Sequence, residues 1–132
     1  MEFRTALALA ALATPALAGP LPMDVPVTLG GVETVCTGIG EGKNDPRWKT
    51  YPIRVEFADA NAHYIAGAHV ALSGVDGTAM AEFDCSASWV LFKMPRGLYS
   101  VTARIGTETA SSKFQTPMTG QMRVVLRFPS AQ

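Results

Sequence analysis

The chain is predicted to be all-β, a seven- to eight-stranded antiparallel β-sandwich, and three observations carry that prediction. Apolar and polar residues alternate with period two from Val32 onward, the spacing that turns one face of a strand to a core and the other to solvent. Groups of Gly, Pro, Asp and Ser interrupt these runs at short intervals, as turns between hairpin-connected strands do. No stretch after residue 18 repeats its apolar residues at helical spacing, so strands are the regular element the pattern favours.

Taken in order, Pro20, Pro22 and Pro26 mark residues 19–31 as an extended lead, because proline fixes φ and removes a ladder donor. A single domain is expected over residues 32–132. Its first strand carries Val32, Thr34 and Cys36 on one face. Gly38, Gly40, Gly42 and Pro46 then break regular structure across a long polar loop to Thr50. Ile53, Val55 and Phe57 alternate with Arg54 and Glu56, the pattern of a half-buried strand, and 59–67 connects it to the next. Val70 and Leu72 point inward from a strand over 68–73 that closes at Gly74, Asp76 and Gly77. Two short strands, 80–85 and 89–94, flank Ser86-Ala87-Ser88. Pro95-Arg96-Gly97 is a compact turn, and the strand it releases places Tyr99, Val101, Ala103 and Ile105 on one face. Gly106-Thr107 leads to a strand near 111–116, and 117–120 turns again. The last strand, 121–128, sends Met122, Val124, Leu126 and Phe128 inward.

Residues 1–18 read as a secretory signal peptide. Arg4 supplies the charged end, 6–13 is an unbroken apolar run, and Ala16-Leu17-Ala18 fits the small-x-small cleavage pattern, giving a mature start at Gly19. The apolar run is shorter than the roughly 18 to 20 residues needed to cross a bilayer, so no membrane insertion is expected after cleavage. The expected location is the periplasm, in soluble form. Cleavage would remove Glu2 and Arg4 together, and the net charge would stay at zero. A balanced surface gives no basic footprint for nucleic acid or an anionic membrane. Two cysteines, Cys36 and Cys85, are expected to pair in an oxidising compartment. By the chain-entropy argument the loop they close is worth about 4 kcal/mol. Nothing resembles the Cys-x-x-Cys spacing of a redox or metal pair.

The run Val70-x-Leu72, then Asp76-Gly77, then Trp89-Val90-Leu91-Phe92-Lys93-Met94-Pro95-Arg96-Gly97-Leu98-Tyr99-Ser100-Val101-Thr102-Ala103, resembles the carboxypeptidase regulatory-like domains, whose typical corner reads Leu-Pro-x-Gly-x-Tyr. The resemblance covers roughly residues 51–128 and is similar in particular to small exported proteobacterial members. It implies a transthyretin-like (prealbumin-like) sandwich and, for that small exported group, no assigned reaction. Thr37-Gly38-Ile39-Gly40 occupies the place of those members' Gly-Gly-x-Gly stretch. The chain departs from them in carrying Glu41-Gly42-Lys43-Asn44-Asp45 where they carry an acidic run, and Ser86-Ala87-Ser88 where they carry Asp-Gly-Pro.

Candidate chemistry is sparse, and no catalytic residue, metal site or cofactor is assigned. His63 and His69 are the two histidines, and no third group at zinc spacing accompanies them. Ser73 and Ser88 read as turn residues. The tail Leu126-Arg127-Phe128-Pro129-Ser130 lacks the Tyr-Arg-Gly-Ser ending of the transthyretin-like hydrolases. The segment 38–43 fails the Walker pattern in glycine spacing and in the residue after Lys43. Trp89 is expected to pack between the sheets, and Tyr99 to place its hydroxyl on a nearby backbone group, so that Trp89, Pro95, Gly97 and Tyr99 form a structural corner. The best recognition surface is the loop 38–51, with Glu41, Lys43, Arg47, Trp48 and Tyr51, because loops on rigid sandwiches often carry binding. Two functions follow. One is a non-catalytic binding or accessory module of the cell envelope, holding an unknown protein or glycan partner, for which exposed loop aromatics are expected. The other is a copper carrier using Met80, Met94, Met118 and Met122 with the histidines, or a small hydrolase on the same fold.

Overall fold

A computed structural model of the chain describes residues 16–130. Its strands are β1 (Ala16–Pro20), β2 (Val27–Leu29), β3 (Val32–Thr37), β4 (Ile53–Ala58), β5 (Ala68–Gly74), β6 (Ala79–Cys85), β7 (Trp89–Lys93), β8 (Leu98–Ile105), β9 (Glu108–Gln115) and β10 (Met122–Arg127). They form two five-stranded sheets, sheet I in the order β1-β6-β5-β8-β9 and sheet II in the order β10-β4-β7-β3-β2. The only helical pieces among the described residues are two short 3-10 turns, Gly40–Asn44 and Pro46–Thr50. No helix there is long and apolar enough to cross a membrane.

The chain changes sheet between β1 and β2, β4 and β5, β6 and β7, β7 and β8, and β9 and β10, so both sheets build one core. Ile53, Val55 and Phe57 of β4, Val90 and Phe92 of β7, and Val124 and Leu126 of β10 face Val70 and Leu72 of β5, Phe83 of β6 and Val101 and Ala103 of β8. Phe57 meets Phe128 and Phe83 meets Phe92 edge to face, with centroids 6.4 and 6.2 Å apart, the arrangement favoured by the ring quadrupole. Each such side chain, fully buried, contributes about 1.5–3 kcal/mol. Cys36 of β3 and Cys85 of β6 form a disulfide across a sequence separation of 49, and it bridges sheet II to sheet I.

Three expectations are corrected. The sheets are mixed, because β10 runs parallel to β4 and β1 parallel to β6; side-chain alternation has period two in either direction and carries no direction signal. Ten strands among the described residues replace seven or eight, since the lead supplies β2, and β1 straddles the expected leader's last residues and the start of the lead, at the outer ends of the two sheets, where a missing N–H costs no ladder bond. Trp89 does not lie between the sheets. It shares the parity of Leu91 and Lys93, and the inward places on β7 belong to Val90 and Phe92. All four residues 89–92 are apolar, so alternation could not assign the faces. As for the expected leader, residues 1–15 lie outside the described residues, and the bond after Ala18 falls inside β1.

The corner after β7 is a tight lock. Tyr99 Oη donates to Pro95 O at 2.6 Å, Gly97 N donates to Thr116 Oγ1 at 2.9 Å, and the Tyr99 ring stacks on Phe114 with centroids 5.8 Å apart.

Candidate binding site

The loop 38–51 is folded down on the outer face of sheet II as a roof. Asp45 opens its second turn, accepting from Arg47 N at 2.9 Å ahead of Pro46, which is the N-cap arrangement that satisfies an otherwise unpaired N–H. Trp48 and Tyr51 are buried against Val35 of β3 and Leu91 of β7 in a small second core. Trp48 is only 4 % exposed and Tyr51 2 %. Their rings meet edge to face at 5.9 Å. Trp48 Nε1 donates to Gly42 O at 2.7 Å, and Gln121 Nε2 donates to both Trp48 O (2.9 Å) and Tyr51 O (3.0 Å). Tyr51 Oη donates to Glu33, and Lys93 Nζ lies 4.5 Å above the Tyr51 ring. Burial, followed by the Glu33 carboxylate, pushes the Tyr51 hydroxyl well above its usual pKa.

Two glycines allow this close fit. Gly38 has φ +112°, and a Cβ there would lie 2.8 Å from the Trp89 ring; one on Gly42 would lie 2.1 Å from the Asp24 carboxylate. Asp24 in turn accepts from Thr37 Oγ1 at 2.6 Å. Gly38 and Gly42 are therefore packing devices.

Beside the roof, the outer face of β4 carries a buried carboxylate. Glu56 has no exposed surface. It accepts from Arg123 Nε at 2.7 Å and from Tyr64 Oη at 3.1 Å. Arg54 Nε lies 2.8 Å from its other oxygen without hydrogen-bond alignment. The Glu56 carboxylate holds the Arg123 guanidinium above its ordinary pKa. Arg54 also stacks on Trp89, Cζ 4.4 Å from the ring centroid, while Tyr64 meets the same indole edge-on at 5.9 Å. Such guanidinium–indole contacts are attractive by about 0.5–2 kcal/mol. Trp89 Nε1 is buried with no acceptor among the described residues.

Between roof and sheet lies a cleft of about 270 Å³ lined by Lys43, Asn44, Asp45, Trp48, Lys49, Arg54, Trp89, Leu91 and Gln121. Of the expected loop residues, Lys43 and Trp48 line it. Arg47 is exposed and clamps Asp45 with its guanidinium at 2.8 Å. That side-chain hydrogen bond holds the Asp45 carboxyl below its usual range. Glu41 is exposed on the first turn, outside the cleft lining. The expected exposed aromatics are absent from the loop: Trp48 and Tyr51 are anchors, and a guanidinium lies over each indole, Arg47 4.8 Å from Trp48 and Arg54 over Trp89. Lys49, Arg54, Asn44 and Gln121 were not singled out by sequence reasoning. Lys43, Arg47 and Lys49 against Glu41 and Asp45 were the visible signal that this loop is cationic.

One of the two histidines is held far more restrictively than the sequence suggests. His69 on β5 is gripped by two carboxylates of β6, with Nε2 2.5 Å from Glu82 and Nδ1 2.7 Å from Asp84. Both ring nitrogens are taken, and the Glu82 and then the Asp84 contact raise its pKa. His63 is exposed beside Asp59, at 3.7 Å. No group of three or more His, Cys, Asp or Glu among the described residues could hold a metal ion. Met80, Met94 and Met122 pack against the core, and Met118 is exposed. A larger hollow, about 520 Å³, sits at one end of the sandwich around Ile65, Ile105 and Glu108. Its one charged group, Glu108, already accepts from Ser130 N at 2.8 Å. Comparison with protein-family models, with characterised proteins and with solved structures finds no match to this chain.

Proposed function

We propose that this protein is a non-catalytic binding or accessory module of the cell envelope, of the carboxypeptidase regulatory-like, transthyretin-like type, exported to the periplasm and holding its partner in the cleft beneath the roof of sheet II. The observation that carries this reading is the cleft itself: a pinned loop over a rigid sheet, lined by three cations and two amides. Rigid elements that preset side-chain positions reduce the ordering cost of binding. The disulfide supports an oxidising compartment, and the Pro95–Tyr99 lock supports the family type.

The hydrolase alternative is disfavoured because His69, with carboxylates on both nitrogens, has no free nitrogen to take a proton from a serine, and no serine is hydrogen-bonded to His63 among the described residues. A copper carrier is disfavoured because three of its four thioethers are committed to packing. The test is a crosslinking pull-down of the disulfide-intact protein from its own envelope, with mass spectrometry of partners and bound metal. A specific protein or glycan partner is expected; stoichiometric copper or zinc without a partner overturns the reading.

A further inference from the structure

We propose that the cleft is a site for an acidic sugar, with Lys43, Lys49 and Arg54 reading the acid group and Asn44 and Gln121 reading hydroxyls; this rests on the binding-module reading above. The charge argument comes first. The chain as a whole is neutral, yet the cleft holds three cations against Asp45, and Asp45 is already clamped by Arg47. Neither Lys43 nor Lys49 has an ion-pair partner among the described residues. Arg54 has only the unaligned contact with Glu56, which Arg123 also neutralises. Its two Nη groups make no hydrogen bond among the described residues, so a guanidinium held over the Trp89 ring keeps free donors in a fork suited to a carboxylate or phosphate.

The polar neighbours favour a sugar. Gln121 spends both amide hydrogens on the roof and keeps Oε1 as an acceptor, while Asn44 is exposed with donor and acceptor atoms at the rim. Planar amides of this kind match hydroxyls, which both donate and accept. The volume is just under the roughly 300–1,000 Å³ of drug-sized sites, so it accommodates one ring of a longer ligand. A protein partner fits less well, since protein interfaces are depleted in lysine and use exposed aromatic anchors, and here the indoles are covered by arginines. The same cover argues that a sugar is held by its acid and hydroxyls and not by stacking on a bare ring.

The protein carries its own reporter, because its two tryptophans both line the cleft. The experiment is a tryptophan-fluorescence titration of the full disulfide-bonded protein with four probes: trigalacturonate, a hexose phosphate, the neutral trisaccharide of the same ring, and an oligoglutamate peptide. Saturable binding of one or both acidic sugars is expected, weakening with salt as exposed charges are screened. The better of the two identifies the acid group. Lys43→Ala/Lys49→Ala is expected to weaken that binding about tenfold, as for two exposed ion pairs, with an unchanged melting curve. Lys43→Arg/Lys49→Arg is expected to retain it. Equal binding of the neutral sugar, preference for the peptide, or an unweakened alanine variant overturns the acidic-sugar site. If no sugar binds while an envelope extract still yields a specific crosslinked partner, this inference falls and the module reading stands; if the extract yields none, both fall.

Discussion

His69 is a case where two hydrogen bonds decide the protonation state of a residue that otherwise titrates near neutrality. With Glu82 on one nitrogen and Asp84 on the other, both nitrogens must donate, so the folded state favours imidazolium and its pKa lies above the usual 6.5. A raised folded pKa contributes stability that is complete below the unfolded value and is lost as pH climbs through the folded one. Stability is therefore expected to fall by about 1 kcal/mol as pH rises from the usual 6.5 through the raised folded value, in line with two partly exposed pairs. His69→Gln should abolish that dependence. Urea midpoints of the two proteins across this range check it, and parallel curves would show that other groups set the pH response. Glu56 is a carboxyl group without solvent contact, held by Arg123 and Tyr64 with Arg54 beside it. Glu56→Gln keeps the shape and removes the charge. About 2 kcal/mol of destabilisation is expected, moderated because both arginines reach water on their far side. An unchanged unfolding midpoint would mean that the arginines relax into solvent without cost.

The roof, residues 38–51, is the element on which sequence reading was least complete. Its glycines and charges mark a loop, and they do so correctly for the backbone. They cannot reveal that Trp48 and Tyr51 descend onto Val35 and Leu91, because that contact is made with residues far away in sequence and has no period of its own. The outward side of β4 was misleading for the same reason: Arg54 and Glu56 alternate as solvent-facing residues should, yet the neighbouring strands and Tyr64 cover Glu56 completely. By contrast, the corner Pro95–Tyr99 was legible because its central hydrogen bond is local, from the Tyr99 hydroxyl to the Pro95 carbonyl four residues back, whereas the contacts to Thr116 and Phe114 that reinforce it are long-range and were not. Trp48→Ala tests which description of the roof is right. Removing an indole that is 4 % exposed in a four-residue cluster is expected to cost about 3 kcal/mol, the lower end of large-to-small core substitutions, and to free the loop for proteolysis. Limited digestion with mapping of cleavage sites, alongside thermal melting, reads both effects. A variant that melts with the wild type and resists cleavage in 38–51 would show that Tyr51 and Gln121 alone pin the roof.

At the scale of the molecule, the all-β class and the position of most strands follow from alternation and turns, whereas sheet membership does not. A strand such as β10 has the same inward residues, Val124 and Leu126, whether it pairs parallel or antiparallel, so its placement beside β4 depends on the crossover from β9 and not on its own sequence. What the sequence does contain about long-range order is the pair of cysteines. Cys36 and Cys85 join β3 of sheet II to β6 of sheet I, two layers that also meet through the apolar core. A link across a separation of 49 residues restricts the unfolded chain by about 4 kcal/mol, a large share of the roughly 5–15 kcal/mol that holds a typical domain together. Cys36→Ala/Cys85→Ala should therefore lower the melting temperature by about 15 °C while leaving the strands formed at low temperature, since each sheet keeps its own ladders. Thermal unfolding with and without reductant, compared with the double variant, separates the two contributions. Reductant should reproduce the variant's loss in the wild type and leave the variant unmoved. Equal melting temperatures for all samples would mean that apolar packing across the sandwich, Phe83 of sheet I on Phe92 of sheet II included, suffices to hold the sheets together and that the bridge limits only how the unfolded chain searches.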